Sequence, residues 1–471
     1  MSAPELDRPP TGLAHKTMGP VEVLAQSVAA IAPSAVMATG PALIVLSAGN
    51  GSWLSYLLAL VTVVLIGLCV AQFGTKIASA GSLYDYVGQS LGRGSAFAAG
   101  WALVIGYLFI AMIGVVGVGI YGGALLEGVG IPAGATATQV VIFVIAGAAA
   151  AAFAWGGIKL STRVGLMLEI ASIAAILVLF VVTIAKHGAT TDTAQIGLTG
   201  ASSDGITFGV VLAVLGFVGF ESAAALGAEA KDPHRAIPRA VLTSAVVVGV
   251  LYVFAAYTSV LGLGADGLGS SAAPMDDLAR SVGLAGFRYV IDLGVVASFF
   301  AVTIASINAA SRVLFSVAHD GVLHPALGRA HARHRTPHVA ILALLPAVVV
   351  VPAVMVLVGM TPLAVYAYTG TIGTFGYLTA YLLMAIGMPI FLRRHHTVRA
   401  HHWVLAVAAA AAIVYVTYKN LVPVPDYPYN VLPYLYLALL VLGIAWYAIV
   451  RLRGPVQTTL PAQPMTSEPE A

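Results

Sequence analysis

Charge is what this 471-residue chain has least of: Asp, Glu, Lys and Arg together make up 9% of it. A soluble domain carries roughly a quarter charged residues. Hydrophobic residues reach 59% and mean hydropathy is +0.95, so a soluble globular fold is excluded and an integral membrane protein is implied. Cysteine occurs once, as Cys69 in an apolar run, which excludes an internal disulfide or a thiol metal cluster and leaves packing as its role. Catalytic motifs are missing too. There is no His-Glu-x-x-His, and no Gly-x-Ser-x-Gly stands beside a membrane-embedded histidine, so an intramembrane enzyme has no constellation to work with. The first twenty residues are polar and contain Pro9-Pro10, unlike the apolar core of a signal peptide. A net charge of +3 gives no reason to expect nucleic-acid binding.

What fills the chain is apolar runs. Roughly 20 such residues cross a bilayer as a helix. Twelve stretches qualify, near 23–47, 53–75, 95–126, 138–156, 163–185, 206–229, 239–262, 288–317, 338–358, 363–391, 402–421 and 431–450. Alternate loops collect the basic residues, among them Lys76, Arg93, Lys159, Arg163, Lys231, Arg235, Arg329, Arg333, Arg393 and Arg451. The opposite loops hold only Lys186, Arg280, Arg288 and Lys419. The positive-inside rule then predicts a multi-pass cell-membrane protein with both termini cytoplasmic.

Two of these stretches are interrupted in their middle. The first contains Ala32-Pro33-Ser34-Ala35 and Thr39-Gly40-Pro41; the sixth contains Gly216-Phe217-Val218-Gly219-Phe220-Glu221-Ser222. Unwound backbone at membrane depth is tolerated only where protein or a water-filled cavity satisfies it. Breaks at corresponding places in two halves of a chain point to a secondary transporter with an inverted repeat and a site between them.

Three motifs carry a resemblance to a known family. Ser79-Ala80-Gly81-Ser82-Leu83-Tyr84-Asp85-Tyr86 is followed by Leu91-Gly92 and Ala99-Gly100-Trp101. The sixth-stretch motif leads into Glu229-Ala230-Lys231-Asp232-Pro233 and Arg235-Ala236-Ile237-Pro238-Arg239. Asn308-Ala309-Ala310-Ser311-Arg312 precedes His319-Asp320-Gly321-Val322-Leu323. In order and spacing the three resemble the amino acid-polyamine-organocation permeases. The resemblance implies an all-α membrane fold of the LeuT type, with about 12 transmembrane helices arranged as a 5+5 inverted repeat plus two. On that plan 1–22 is a cytoplasmic tail, 23–200 the first repeat, 201–391 the second, 392–453 the two added helices and 454–471 a disordered cytoplasmic tail. It also implies an amino acid or amine held between the two breaks.

The residues themselves supply candidates for that seat. Amides exposed after a break present positive partial charge to a carboxylate, and freed carbonyls accept from an ammonium. Ser34, Ala35 and Val36 are expected on the carboxylate side, although Pro33 lacks an amide hydrogen and the glycines common in relatives are absent. Phe217, Val218 and Gly219 are expected to offer carbonyls, with Phe217 or Phe220 as a wall. The position that carries a gating tryptophan in some antiporter relatives is Leu215, which argues against an arginine-agmatine exchanger. Glu221 lies at membrane depth, either as a proton carrier or as a carboxyl that braces the unwound helix. Glu169 and Ser172 share a helical face. Ser172 stands where some relatives place a lysine; with Thr303 and Ser306 it could offer oxygen ligands to sodium, while Glu169 could pair with a loop arginine. Asp292 is expected to be solvated or paired with Arg288, with a gate as the lesser reading, and Tyr107, Asn308 and Tyr366 either to face the pathway or to bond between helices. The histidines of 331–338 and 395–402 read as a basic membrane-facing surface rather than a metal site.

The expected function is secondary active transport of an amino acid by alternating access, in the direction of uptake and with a proton favoured over sodium for coupling. No cofactor or metal is called for, and the partners are a small-molecule substrate and the bilayer. An amine or polyamine permease or exchanger is the alternative. A sensor that binds without transporting is the third reading, and a channel would need a continuous lined pore.

Overall fold

The computed structural model describes residues 12–187, 191–271, 273–424 and 426–453, so residues 1–11 of the expected N-terminal tail and all of the expected C-terminal tail, 454–471, lie outside the described residues. Among the described residues sixteen α-helices follow one another: α1 (Pro20–Ile31), α2 (Pro33–Ala48), α3 (Ser52–Gly74), α4 (Leu83–Leu91), α5 (Arg93–Gly128), α6 (Thr136–Trp155), α7 (Ile158–Lys186), α8 (Thr193–Ile196), α9 (Ser203–Leu215), α10 (Pro233–Ser270), α11 (Pro274–Ser281), α12 (Arg288–His319), α13 (His338–Leu357), α14 (Pro362–Arg394), α15 (Ala400–Lys419) and α16 (Leu432–Leu452). No β-strand occurs among the described residues. Eleven candidate membrane spans are present there; the first, Pro20–Gly74, is 55 residues long and contains α1, α2 and α3. At about 1.5 Å per residue that is more than one crossing can hold. The chain turns between α2 and α3 at Gly49, where φ is +50°.

Local sequence explains where the helices stop. α1 opens on Pro20, whose missing amide costs nothing at a first helical position. The Glu22 side chain accepts from the Gly19 amide at 2.9 Å. α1 ends at Ala32, a left-handed residue (φ 53°, ψ 60°) immediately before Pro33, which starts α2. Gly40-Pro41 does not relax the helix as expected: α2 runs unbroken through both. α10 likewise starts at Pro233, six residues before the basic loop was expected to end, because a proline at the first position begins a helix readily.

Packing divides the helices into a centre and a rim. α5 sits between α12 and α14; α3 packs on α10, and α7 on α12. These contacts bury Tyr56, Tyr107, Tyr252, Tyr377, Phe217 and Phe220 completely. α15 and α16 lie outside, with Val404, Val407, Leu437, Val441 and Leu442 exposed, as lipid-facing side chains are.

Between α3 and α5, the loop carrying α4 encloses an acidic pair. Tyr84 donates to Asp320, and Asp85 accepts from the Gly81 amide at 3.0 Å. Burial, reinforced by the Asp320 carboxylate and opposed by bonds from Ser79 and Gly81, pushes Asp85 up to about 7. Its folded value lies above its unfolded one, so the folded loop binds the proton more tightly. Its stability is therefore greatest in acid, falls as pH rises from about 4 towards 7, and is flat above. Hydrogen exchange corrected for intrinsic rates should show loop protection declining across that window. Asp85→Asn should remove the decline.

Candidate functional site

The two interruptions meet in the centre of the molecule. At the first, Pro33 has no amide hydrogen, and the next two amides turn away from α1. The Ser34 amide donates to Glu169 Oε1 at 2.8 Å, as does its hydroxyl at 2.7 Å; the Ala35 amide donates to Ser298 Oγ at 3.3 Å. The carbonyls of Ala29, Ala30 and Ile31 thus lose the donors that a continuous helix would give them. The negative end of α1 and the positive end of α2 face each other across one residue.

At the second interruption, α9 ends at Leu215 and a 3-10 helix takes over at Phe220–Leu226. Gly219 joins them at φ +95°, and a Cβ there would lie 2.8 Å from the Ala30 carbonyl oxygen. Only glycine fits this conformation and this approach. The Gly216 carbonyl accepts from Tyr252 Oη at 2.8 Å; Phe217 and Gly219 carbonyls accept from the Phe220 and Ser222 amides. Of the three carbonyls expected to accept from an ammonium, that of Val218 is the one that accepts no hydrogen bond among the described residues. The two breaks are stitched together by Ser27, which donates to the Phe220 carbonyl at 2.6 Å and accepts from the Ala223 amide at 3.2 Å.

Around this junction the walls are aromatic. Phe217 meets Tyr252 edge-on at 5.0 Å, and Phe220 lies 5.6 Å from Tyr381. Glu221 is fully buried and braced by two hydroxyls, Tyr107 at 2.7 Å and Tyr381. Tyr366 of α14 packs edge-on against Phe299 at 5.9 Å.

Eight residues beyond Glu221, a second buried carboxylate is held differently. Glu229 takes both Arg312 Nε at 2.7 Å and Nη2 at 3.1 Å, and Arg312 Nη1 donates to the Asn308 carbonyl at 2.9 Å. Both side chains are 0% exposed. The Glu229 carbonyl accepts from the Thr17 and Met18 amides, and Lys231 returns a bond to Met18. The segment before α1 is thereby clamped under the junction and closes that side.

Several sequence expectations need correction. Ser172, Thr303 and Ser306 do not form one cation site. α7 and α12 run antiparallel with Ser161 bonded to Asn308, Gly165 beside Ala301, Glu169 near Ser298 and Ser172 against Gly294. Positions 303 and 306 thus face residues two to three turns away from Ser172. Thr303 itself donates to the Phe299 carbonyl. Glu169 does not pair with a loop arginine; Arg163 bonds Glu22 at 2.7 Å, and Glu169 turns inward to Ser34. Arg288 reaches Asp276 of α11 at 3.7 Å rather than Asp292. Val36 is not left open at the first break, since its amide bonds the Ala32 carbonyl. Asn308 holds Ser161, so of its two readings the interhelical bond is the one observed. No group of three potential metal ligands occurs among the described residues.

Sequence reading missed Ser27, Ser298, Tyr252 and Tyr381. Each is one of several polar residues in a mostly apolar helix, and only the helical register shows which of them turns inward.

A model of the amino acid permease family matches residues 22–459, nearly the whole chain. This chain belongs to the amino acid permease family. Among curated relatives, a branched-chain amino acid permease of Lactococcus lactis is 28% identical over 74% of this chain and 76% of its own length. The corresponding permease of Bacillus subtilis is 27% identical over 62% of this chain and 65% of its length. Cationic amino acid transporter 4 of mouse is 26% identical over 63% of this chain, which spans about half of that protein. Membership of this family puts the broken helices in a multi-pass membrane protein.

Proposed function

We propose that this protein carries a neutral, apolar amino acid across the cell membrane by alternating access, in the direction of uptake. The observation behind this reading is the bipolar seat at Ala32: freed carbonyls of Ala29, Ala30 and Ile31 suit an ammonium, and the Ser34 and Ala35 amides suit a carboxylate. Val36, Phe217, Val218 and Phe220 supply an apolar surround, in keeping with the branched-chain permeases among its relatives. The chain would cross the membrane twelve times, as two inverted five-helix repeats followed by α15 and α16. Two buried acids, Glu169 and Glu221, favour a proton as the coupling ion, whereas the hydroxyls considered for sodium are scattered. Those same acids, neither of them bonded to a basic side chain, support the second reading, a cationic amine.

A radiolabelled uptake panel in proteoliposomes with imposed proton or sodium gradients tests the reading. Saturable, proton-driven accumulation of leucine is expected. Preference for putrescine would select the second reading, and binding without uptake would select a sensor.

On this reading both termini are cytoplasmic, as the basic bias of the alternate loops suggests. Asp232→Cys, at an exposed position in a Cys69→Ser background, should resist an impermeant thiol reagent in intact cells and react in inverted vesicles. Labelling from outside would reverse the orientation.

A further inference from the structure

We propose that Glu169 is an internal stand-in for the substrate's carboxylate, and that its displacement is the step that takes up the coupling proton. This rests on the seat proposed above. The Ser34 amide and hydroxyl, the donors best placed for a substrate carboxylate, both go to Glu169 Oε1, and Ser298 occupies the next amide. Glu169 is 0% exposed, and apart from the Ser298 hydroxyl beside the carboxyl its other oxygen, Oε2, has no hydrogen-bond partner among the described residues. Glu221 differs in having both oxygens held by tyrosine hydroxyls.

The surroundings of Glu169 offer no cation to hold it once it leaves Ser34. α2 and α6 carry no Asp, Glu, His, Lys, Arg or Tyr. On α1 the only charged residue is Glu22, which Arg163 engages two turns from Glu169 on α7. On α12, Arg312 is committed to Glu229, Arg288 to Asp276, and Asp292 is itself acidic. His319, at the far end of α12, reaches the Phe315 carbonyl. From α10, Tyr252 lies within electrostatic range of Glu169 and donates to Gly216; His234, Arg235 and Arg239 sit at that helix's start, and Tyr257 and Asp266 in its last turns. α11 places Asp276, Asp277 and Arg280 against the start of α12.

Two carboxylates cannot both remain ionised at one helix start in a low-dielectric interior. When the substrate carboxylate takes the Ser34 and Ala35 amides, Glu169 loses both Ser34 donors and binds one proton from the side on which the seat is open, forming an O–H on a carboxyl oxygen. When substrate leaves on the other side, Glu169 returns to Ser34 and releases that proton there. One proton moves with each substrate, and no other bond is made or broken.

Purified full-length protein titrated with leucine, in buffers of different ionisation enthalpy, should take up about one proton per leucine, and leucine affinity should rise about tenfold for each unit fall in pH above the titration of free Glu169. Leucinol, which keeps the ammonium and side chain but lacks the carboxylate, should bind with no proton uptake and no such pH slope. Glu169→Gln can still accept from Ser34 and should bind leucine without proton uptake, while Glu127→Gln, which alters an exposed acid at the end of α5, keeps it. Should Glu169→Gln not fold, the leucine and leucinol comparison on the unaltered protein still decides. Leucine binding without proton uptake, or equal uptake with leucinol, would overturn the exchange and leave the seat intact. Absence of any leucine binding would overturn the substrate reading and this proposal together.

Discussion

Replacing Arg312 by methionine should destabilise the protein by about 3–5 kcal/mol, the range seen when one partner of a buried ion pair is removed. Glu229 would then be left without its guanidinium inside the fold, with both oxygens stripped of donors. The double variant Arg312→Met with Glu229→Leu should recover most of that loss, because taking both charges out removes the uncompensated one. Thermal unfolding of the detergent-solubilised protein measures both. The clamp on Thr17 and Met18 uses the Glu229 carbonyl rather than its side chain, so the double variant should fold. It should also open more readily on that side, because the charge pair no longer fixes α12 to the chain after Glu221. Equal losses in the single and double variants would mean that packing, not charge, holds this corner.

The second large effect is expected at Gly219. An alanine there meets φ +95°, a left-handed conformation that costs an L residue about 1–3 kcal/mol. It also meets the Ala30 carbonyl oxygen at 2.8 Å, a backbone atom that cannot swing aside. Strain of that size shifts the population of the assembled junction by roughly 5- to 150-fold. Leucine uptake by Gly219→Ala should fall by about that factor. Gly264 supplies the control: its φ is +72°, but nothing lies within 4 Å of the Cβ it lacks. Gly264→Ala carries backbone strain away from the seat and should lose stability with far less loss of uptake. Similar uptake in the two variants would detach Gly219 from the site.

The sequence makes the breaks legible because proline and glycine act locally. Pro33 withholds an amide, Gly219 permits a positive φ, and both effects are properties of one residue and its neighbours. Helix extents are legible for the same reason: 95–126 became Arg93–Gly128, and 288–317 became Arg288–His319. The position of the first break is less so. The interruption read at Ala32-Pro33-Ser34-Ala35 narrows to the single left-handed residue Ala32, since Pro33 can restart a helix at once. Pairings between distant helices are not legible in periodicity. Glu169 and Ser34 are 135 residues apart, and the bond between them depends on how α7 is rotated against α2 and α12. One residue's rotation about a helix is roughly 100°. The same rotation decides that Ser172 meets Gly294 while Ser306 sits three turns along α12. Glu229 and Arg312 are both visible as charges in apolar surroundings, yet their bidentate contact is a product of tertiary packing.

The central claim is that substrate sits between the two breaks, with its carboxylate on the amides that Glu169 occupies in its absence. A density map of the protein in lipid nanodiscs with saturating leucine tests that most directly. The account predicts ligand density beside Ala29 to Ala35 and residues 216–220, with its carboxylate on the Ser34 amide and the Glu169 side chain moved off it. Leucine density elsewhere, with Glu169 still bonded to Ser34, would contradict it.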